Sequence, residues 1–351
     1  MGKVKHIVVT GFSGTGSSAA IDLLKEFEGS GVTFNKKEYE DYFLSVPGGL
    51  FDLEWKLLYN NDPHRSDEAI TGFYNVMKRF YERDFDWFAG YKRNIGKEFI
   101  DMIEDFISEI SVRSDRTWYY RYQKRRFSLF RYIYRFFRYK IADPSFQLNG
   151  IHVETEREPI YISYPGKEEF FCSARKLLAR YMDLISSYPV NIHDHLIWPS
   201  HVQNIGTYFD DSYRFIIVHR DARDVFLTNC FQKGTFGIYP TVAEEFVGYW
   251  DRLLSMGKNQ SHKHAMHIWF EDLIYHYETE SRKIAEFCGL SLNQWKRKRE
   301  FFIPEKSIKN TQLFRINADC KEKGDRIKKE IPQYLYDFPY EIQTSIKEMF
   351  V

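Results

Sequence analysis

Residues 6–10, HIVVT, are a short run of β-branched residues that predicts a buried strand. GFSGTGSS follows as a loop. Behind it Ala20, Leu23, Leu24 and Phe27 recur at i, i+3, i+4 and i+7, the apolar face of a helix. Residues 31–35 predict a second strand, with Lys36 to Phe43 at its end. The stretch from about 50 to 140 is mostly helical in pattern and rich in aromatic residues, and Pro144 closes it. Phe171, Leu177, Leu178, Tyr181 and Leu184 predict a helix over 168–187. Strands are expected at 190–196 and, more clearly, at RFIIVHR (214–220). DARDVFLTNCF continues as a helix with Asp221 as N-cap. HAMHIWF (264–270) predicts another strand, and ETESRKIAEFCGL (278–290) an amphipathic helix stopped by Gly289.

Strands alternating with helices predict an α/β fold with a parallel sheet covered on both faces. No internal repeat and no low-complexity linker divides the chain. The expected organisation is one domain over 1–351, with a helical insertion at approximately 50–150. The composition supplies a full core: 43% of the residues are hydrophobic, and 31 Phe and 25 Tyr must fill much of it. A net charge of +1 excludes a polyanion binder acting through its overall charge. The four cysteines, Cys172, Cys230, Cys288 and Cys320, include no CxxC pair and read as reduced thiols. MGKVKHIVVTGF has too short an apolar run for a signal peptide or membrane anchor, so the expected setting is the cytoplasm.

The loop carries the first candidate chemistry. Gly11, Gly14 and Gly16 between a strand and a helix let backbone N–H groups turn towards an anion, and the helix N-terminus adds partial positive charge. Thr15, Ser17 and Ser18 add hydroxyls. A structural turn that needs glycine for φ > 0 is the plain alternative. Gly11 and Gly16 have the spacing of GxxxxGK[ST], but Ser17 stands where a nucleotide kinase keeps Lys. A second constellation follows the strand RFIIV. Arg220 lies at the strand's C-terminal end, where open α/β sheets bind ligands, and Thr228 comes eight residues later in the helix. Arg can hold a phosphate bidentately and a helix hydroxyl can complete the contact. The plain alternative is an Arg paired with Asp221 or Asp224.

Together these segments resemble the sulfotransferase family that uses 3′-phosphoadenosine 5′-phosphosulfate. GFSGTGSSA is similar to its 5′-phosphosulfate loop, above all in glycan sulfotransferases. VHRDARDVFLTN resembles its 3′-phosphate motif, with Arg220 and Thr228 on the motif's Arg and Ser. WFEDLIYHYETESRKIAEFCGL resembles its Tyr-Glu-Asp-Leu segment and following helix. The resemblance implies a P-loop-type parallel sheet flanked by helices. It implies the phosphosulfate as co-substrate, held by Gly14, Thr15, Gly16, Ser17, Ser18, Arg220 and Thr228, with no metal. One departure stands out: family members carry Lys or Arg in the loop, and Gly14 occupies that position. Lys36 or Lys37 is the expected substitute.

Sulfuryl transfer is an in-line displacement that builds charge on the leaving oxygen, as in phosphoryl transfer. The protein must stabilise that oxygen and take the acceptor's proton. Glu38, in FNKKEYEDYF, resembles the catalytic base of glycan sulfotransferases, with Glu40 nearby. His195, in VNIHDHL, resembles the base of cytosolic members, with His193 expected on the same strand face. CKEKGD (320–325) faintly resembles a late segment that touches the 3′-phosphate, through Lys321 and Lys323. His262, His264 and His267 lack one-face spacing and read as structural.

Residues 113–140 hold ten Lys or Arg against one Asp, a local net of +9. This basic aromatic segment suits an anionic membrane surface or an acidic glycan, and equally a helix packed on the core. No nucleic-acid motif accompanies it. The leading expectation is a bacterial sulfotransferase acting on a saccharide or lipid-linked saccharide, with peripheral contact at the inner face of the membrane. A P-loop kinase or other phosphotransferase, and a non-catalytic relative that binds membrane or polyanion, are the alternatives.

Overall fold

The computed structural model describes residues 4–33, 41, 43–83, 90–114, 129–137, 160–232, 238–256, 261–345, 347 and 349. Seven strands lie among them: β1 His6–Gly11, β2 Ser30–Val32, β3 Val112–Ser114, β4 Ile160–Ile162, β5 Val190–Asp194, β6 Tyr213–His219 and β7 Ala265–Trp269. The chain divides into two compact units. One comprises Met1–Val46, Phe80–Phe99 and Leu178–Val351, the other Pro47–Arg79 and Ile100–Leu177.

The first unit is built on a five-stranded sheet in the order β2-β5-β1-β6-β7, every neighbouring pair parallel. The expected α/β class, a parallel sheet flanked by helices, is what forms. Central β1 is buried at all six positions, as a strand covered on both faces must be. Ile7 and Val9 of β1, Ile216 and Val218 of β6 and Ile268 of β7 share one core with Leu23 and Leu24 of helix Ser17–Lys25 and Ile284 of helix Tyr277–Phe287. Helices Ala222–Phe231, Ala243–Ser255 and Ala318–Glu330 close around a second core centred on Phe226, Phe246 and Trp250.

Local sequence sets the element ends. Asp221 caps its helix as expected, accepting from the Arg223 N–H at 2.9 Å. Gly289 takes φ 64° and ends Tyr277–Phe287, while the Leu290 N–H returns to the Ala285 carbonyl. β7 stops at Trp269 because Phe270 already begins helix Phe270–Tyr275.

In the second unit β3 pairs antiparallel with β4. Ser66 and Asp67 fasten β4 through the Ser163 and Tyr161 N–H groups. Helix Leu129–Phe136, inside the basic aromatic segment, exposes Leu129, Phe130, Ile133 and Phe136. No helix among the described residues is long and apolar enough to cross a membrane.

Candidate functional site

The glycine loop joins β1 to helix Ser17–Lys25, at the C-terminal edge of the parallel sheet. Each of its glycines has its own reason. Gly14 and Gly16 hold φ 79° and 92°, backbone that L-residues rarely adopt. Gly11 has no room for a side chain, because a methyl there would run into the Thr15 hydroxyl and the Val218 carbonyl. Thr15 is buried, and both its N–H (3.0 Å) and its hydroxyl (2.7 Å) donate to the Phe12 carbonyl. Its hydroxyl thus closes the loop, while Ser17 and Ser18 stand at the helix start with the free first-turn N–H groups.

β6 delivers Arg220 to the same edge. Arg220 is 6% exposed. One guanidinium nitrogen donates to the Gly14 carbonyl at 2.7 Å, another to the Asn310 carbonyl at 2.5 Å, and the group sits 5.0 Å above the Phe270 ring. The plain alternative, a carboxylate pair for Arg220, falls instead to its neighbour: Arg223 binds Asp221 bidentately at 2.9 and 2.7 Å. Beneath lie buried Asp224 and Glu271. Burial and the Asp221 charge push Asp224 up to about 7, although the Leu313 and Gln312 N–H groups donate to it. The same causes raise Glu271 well above the carboxylate range. Burial therefore disfavours the negative charge of both acids.

Val225, Thr228 and Asn229 follow at i, i+3 and i+4 along helix Ala222–Phe231, and with Gln232 at its C-cap they line one cleft of about 590 Å³. Gly14, Gly16, Ser17, Ser18 and Arg220 line it too, as do Phe301, Phe302, Ile303, Lys306, Ser307 and Asn310. Three buried polar atoms on these side chains have no partner: Arg220 Nε, Thr228 Oγ1 and Asn229 Oδ1. Leaving such groups unpaired costs about 1–3 kcal/mol each. All three belong to side chains that line this one cleft.

The other candidate residues divide. His195 lines the cleft, but not from the strand face it was expected to share with His193. β5 ends at Asp194, and His195 takes left-handed backbone at φ 55°. Its Nδ1 lies 2.6 Å from the Asp194 carboxylate and its Nε2 donates to the Gly11 carbonyl at 3.0 Å. His193 is buried away from the cleft against His6, its Nε2 3.1 Å from His6 Nδ1. Lys36, Lys37, Glu38 and Glu40 lie outside the described residues. Lys321 and Lys323 do not line the cleft; helical i,i+4 pairs hold them on Asp325 and Asp319, each at 2.7 Å. Of the late histidines, His264 meets Asp211 at 3.1 Å and His267 meets His219 at 2.8 Å.

Sequence reasoning missed Asn229, Tyr239 and Lys306. Asn229 could have been found, since it adjoins Thr228 on the same helical face. Tyr239 fastens the loop through its hydroxyl to the Ser13 carbonyl at 3.0 Å, a link with no sequence signature. Lys306 sits on the short helix Pro304–Ser307, where no periodic pattern announces it.

No family model and no curated protein matches the chain. Among solved structures it is similar to sulfotransferase STF9 from Mycobacterium avium, at 12% identity over 97% of this chain and 78% of that one, with a TM-score of 0.35. It is also similar to sulfotransferase STF1 from Mycobacterium tuberculosis H37Rv, at 12% identity over 89% of this chain and 77% of that one, again with a TM-score of 0.35. A likeness this slight bears no weight for the activity.

Proposed function

We propose that this chain is a sulfotransferase that moves a sulfuryl group from 3′-phosphoadenosine 5′-phosphosulfate to a hydroxyl of a saccharide or lipid-linked saccharide. The observation that carries the reading is the pair of partnerless buried donors, Arg220 Nε and Thr228 Oγ1, in the cleft that the glycine loop also lines. A ligand that satisfies both stretches has two anionic ends. Gly14, Thr15, Gly16, Ser17 and Ser18 would form the seat of its 5′ end, and Arg220 with Thr228 the seat of its 3′-phosphate. Ser17 in place of the kinase Lys argues against ATP as the natural occupant.

In the transfer the acceptor oxygen bonds to sulfur, the bond from sulfur to the phosphate oxygen breaks, and the acceptor's proton passes to a base. Glu38 is the base of this proposal and Lys37 the cation for the leaving oxygen. His195 is the second candidate base. Its engagement on both ring nitrogens favours a different part, holding the Gly11 turn in place. The acceptor class rests on the loop's resemblance to glycan sulfotransferases and on the basic aromatic residues 113–140. The exposed apolar side chains of helix Leu129–Phe136 suit a lipid-borne acceptor at an anionic membrane.

The test supplies sulfate-labelled donor together with bacterial lipid and polysaccharide extracts. Label passing to an extract component supports the proposal. Thermal protection by ATP·Mg, with none by adenosine 3′,5′-bisphosphate, would establish the kinase reading instead. Protection by neither, with no transfer, leaves the non-catalytic one.

A further inference from the structure

Asn229 presents the opposite chemistry to its neighbours in the cleft. Arg220 and Thr228 offer hydrogens, whereas the partnerless atom of Asn229 is its carbonyl oxygen. The amide cannot usefully turn over. Its Nδ2 donates to the Tyr239 carbonyl at 3.0 Å, and a flip would set Oδ1 against that carbonyl, acceptor against acceptor. Tyr239 is fixed in turn by its hydroxyl, which donates to the Ser13 carbonyl of the glycine loop. The residue is 9% exposed, and its carbonyl oxygen finds no donor among the protein groups around it. The ligand must therefore bring a hydrogen-bond donor next to its anionic group, and a second phosphate oxygen at that place would be repelled.

We infer that Asn229 is a specificity residue that accepts a hydrogen bond from the ribose 2′-hydroxyl beside the 3′-phosphate. The inference rests on the donor reading above and deepens it. On a 3′-phosphorylated ribonucleotide the 2′-hydroxyl is the donor adjacent to the phosphate held by Arg220 and Thr228. Asn229 selects ribonucleotide over 2′-deoxyribonucleotide and disfavours a 2′-phosphate.

Calorimetric titration with adenosine 3′,5′-bisphosphate and its 2′-deoxy analogue tests this. Wild type should bind the deoxy form about 10-fold more weakly, the order expected when one buried acceptor is left unpaired. Asn229→Ala should bind both forms within about twofold of each other, and so should Asn229→Leu, a near-isostere that serves if the alanine variant folds poorly. Thr228→Val should weaken both forms together and keep the ratio. Equal binding of both forms by wild type overturns the inference, as does an unchanged ratio in the Asn229 variants. If neither bisphosphate binds wild type, the donor reading itself falls.

Discussion

The glycine loop permits a prediction in which two physical effects separate cleanly. Gly14→Ala and Gly16→Ala both place a methyl on left-handed backbone, at φ 79° and 92°. That conformation alone costs an L-residue about 1–2 kcal/mol. At Gly14 nothing else is added, since the nearest atom to the new methyl would be Val225 Cγ1 at 3.9 Å, an ordinary contact. At Gly16 the methyl would lie 2.5 Å from Phe270 Cδ2 and 3.0 Å from Cγ, and the ring must move. Phe270 is buried in the core and carries Arg220 on its face, so overpacking should add about 1–3 kcal/mol. Urea unfolding at 25 °C should therefore show Gly14→Ala less stable by about 1 kcal/mol and Gly16→Ala by about 3 kcal/mol. Gly14→Asn should recover most of its loss, because Asn tolerates left-handed backbone. Phe270→Ala combined with Gly16→Ala should cost less than the two single losses together. A Gly16→Ala variant no less stable than Gly14→Ala would refute the reasoning.

Three further outcomes follow from buried polar groups. Burial lowers His6 from 6.5 to about 4, so the folded state favours its neutral ring against His193. Its contribution is whole above pH 6.5 and drains away as pH falls towards 4; wild type should lose about 2 kcal/mol by pH 5 through this group, and His6→Gln should flatten that part of the urea-midpoint profile. Glu271 has the opposite sign. Its folded value is raised, so its stability is held at low pH and lost as pH rises, and Glu271→Gln should cost under about 1 kcal/mol at pH 6 yet be the more stable protein at pH 9. Glu26, fully buried, accepts from the Tyr277 hydroxyl, Trp295 Nε1 and the Phe302 N–H. Glu26→Ala orphans these donors and should lower stability by about 3 kcal/mol or more in the same assay.

The first unit's strands and helices were legible because each repeats a local pattern. HIVVT and RFIIVH are continuous β-branched or apolar runs, and they became β1 and β6, neighbours in the interior of the sheet. Asp221 and Gly289 mark helix ends by chemistry that acts within a few residues. Less was legible where tertiary contacts decide. β2 covers only Ser30–Val32, and its last ladder bond runs from the Thr33 N–H to the Ile192 carbonyl of β5. The alternation over 190–196 suggested a longer strand, and His195 turned out of it to reach Gly11. At the site, Arg220 and Thr228 were readable from their spacing at a strand end. The segment 301–310 was not, since it combines a short helix with a 3₁₀ turn and reaches the cleft only through the fold. Asn229 carries no signal beyond its place beside Thr228, and its meaning depends on Tyr239, ten residues away.

The central claim is that Arg220 and Thr228 recognise a 3′-phosphate. It is tested most directly by titrating wild type and Arg220→Ala with adenosine 3′,5′-bisphosphate and with adenosine 5′-phosphate. Wild type should bind the bisphosphate about 100-fold more tightly, as a charge-assisted contact of about 3 kcal/mol requires. In Arg220→Ala the advantage should shrink to a few-fold. Equal binding of the two nucleotides by wild type, or an advantage that survives in Arg220→Ala, would contradict the account.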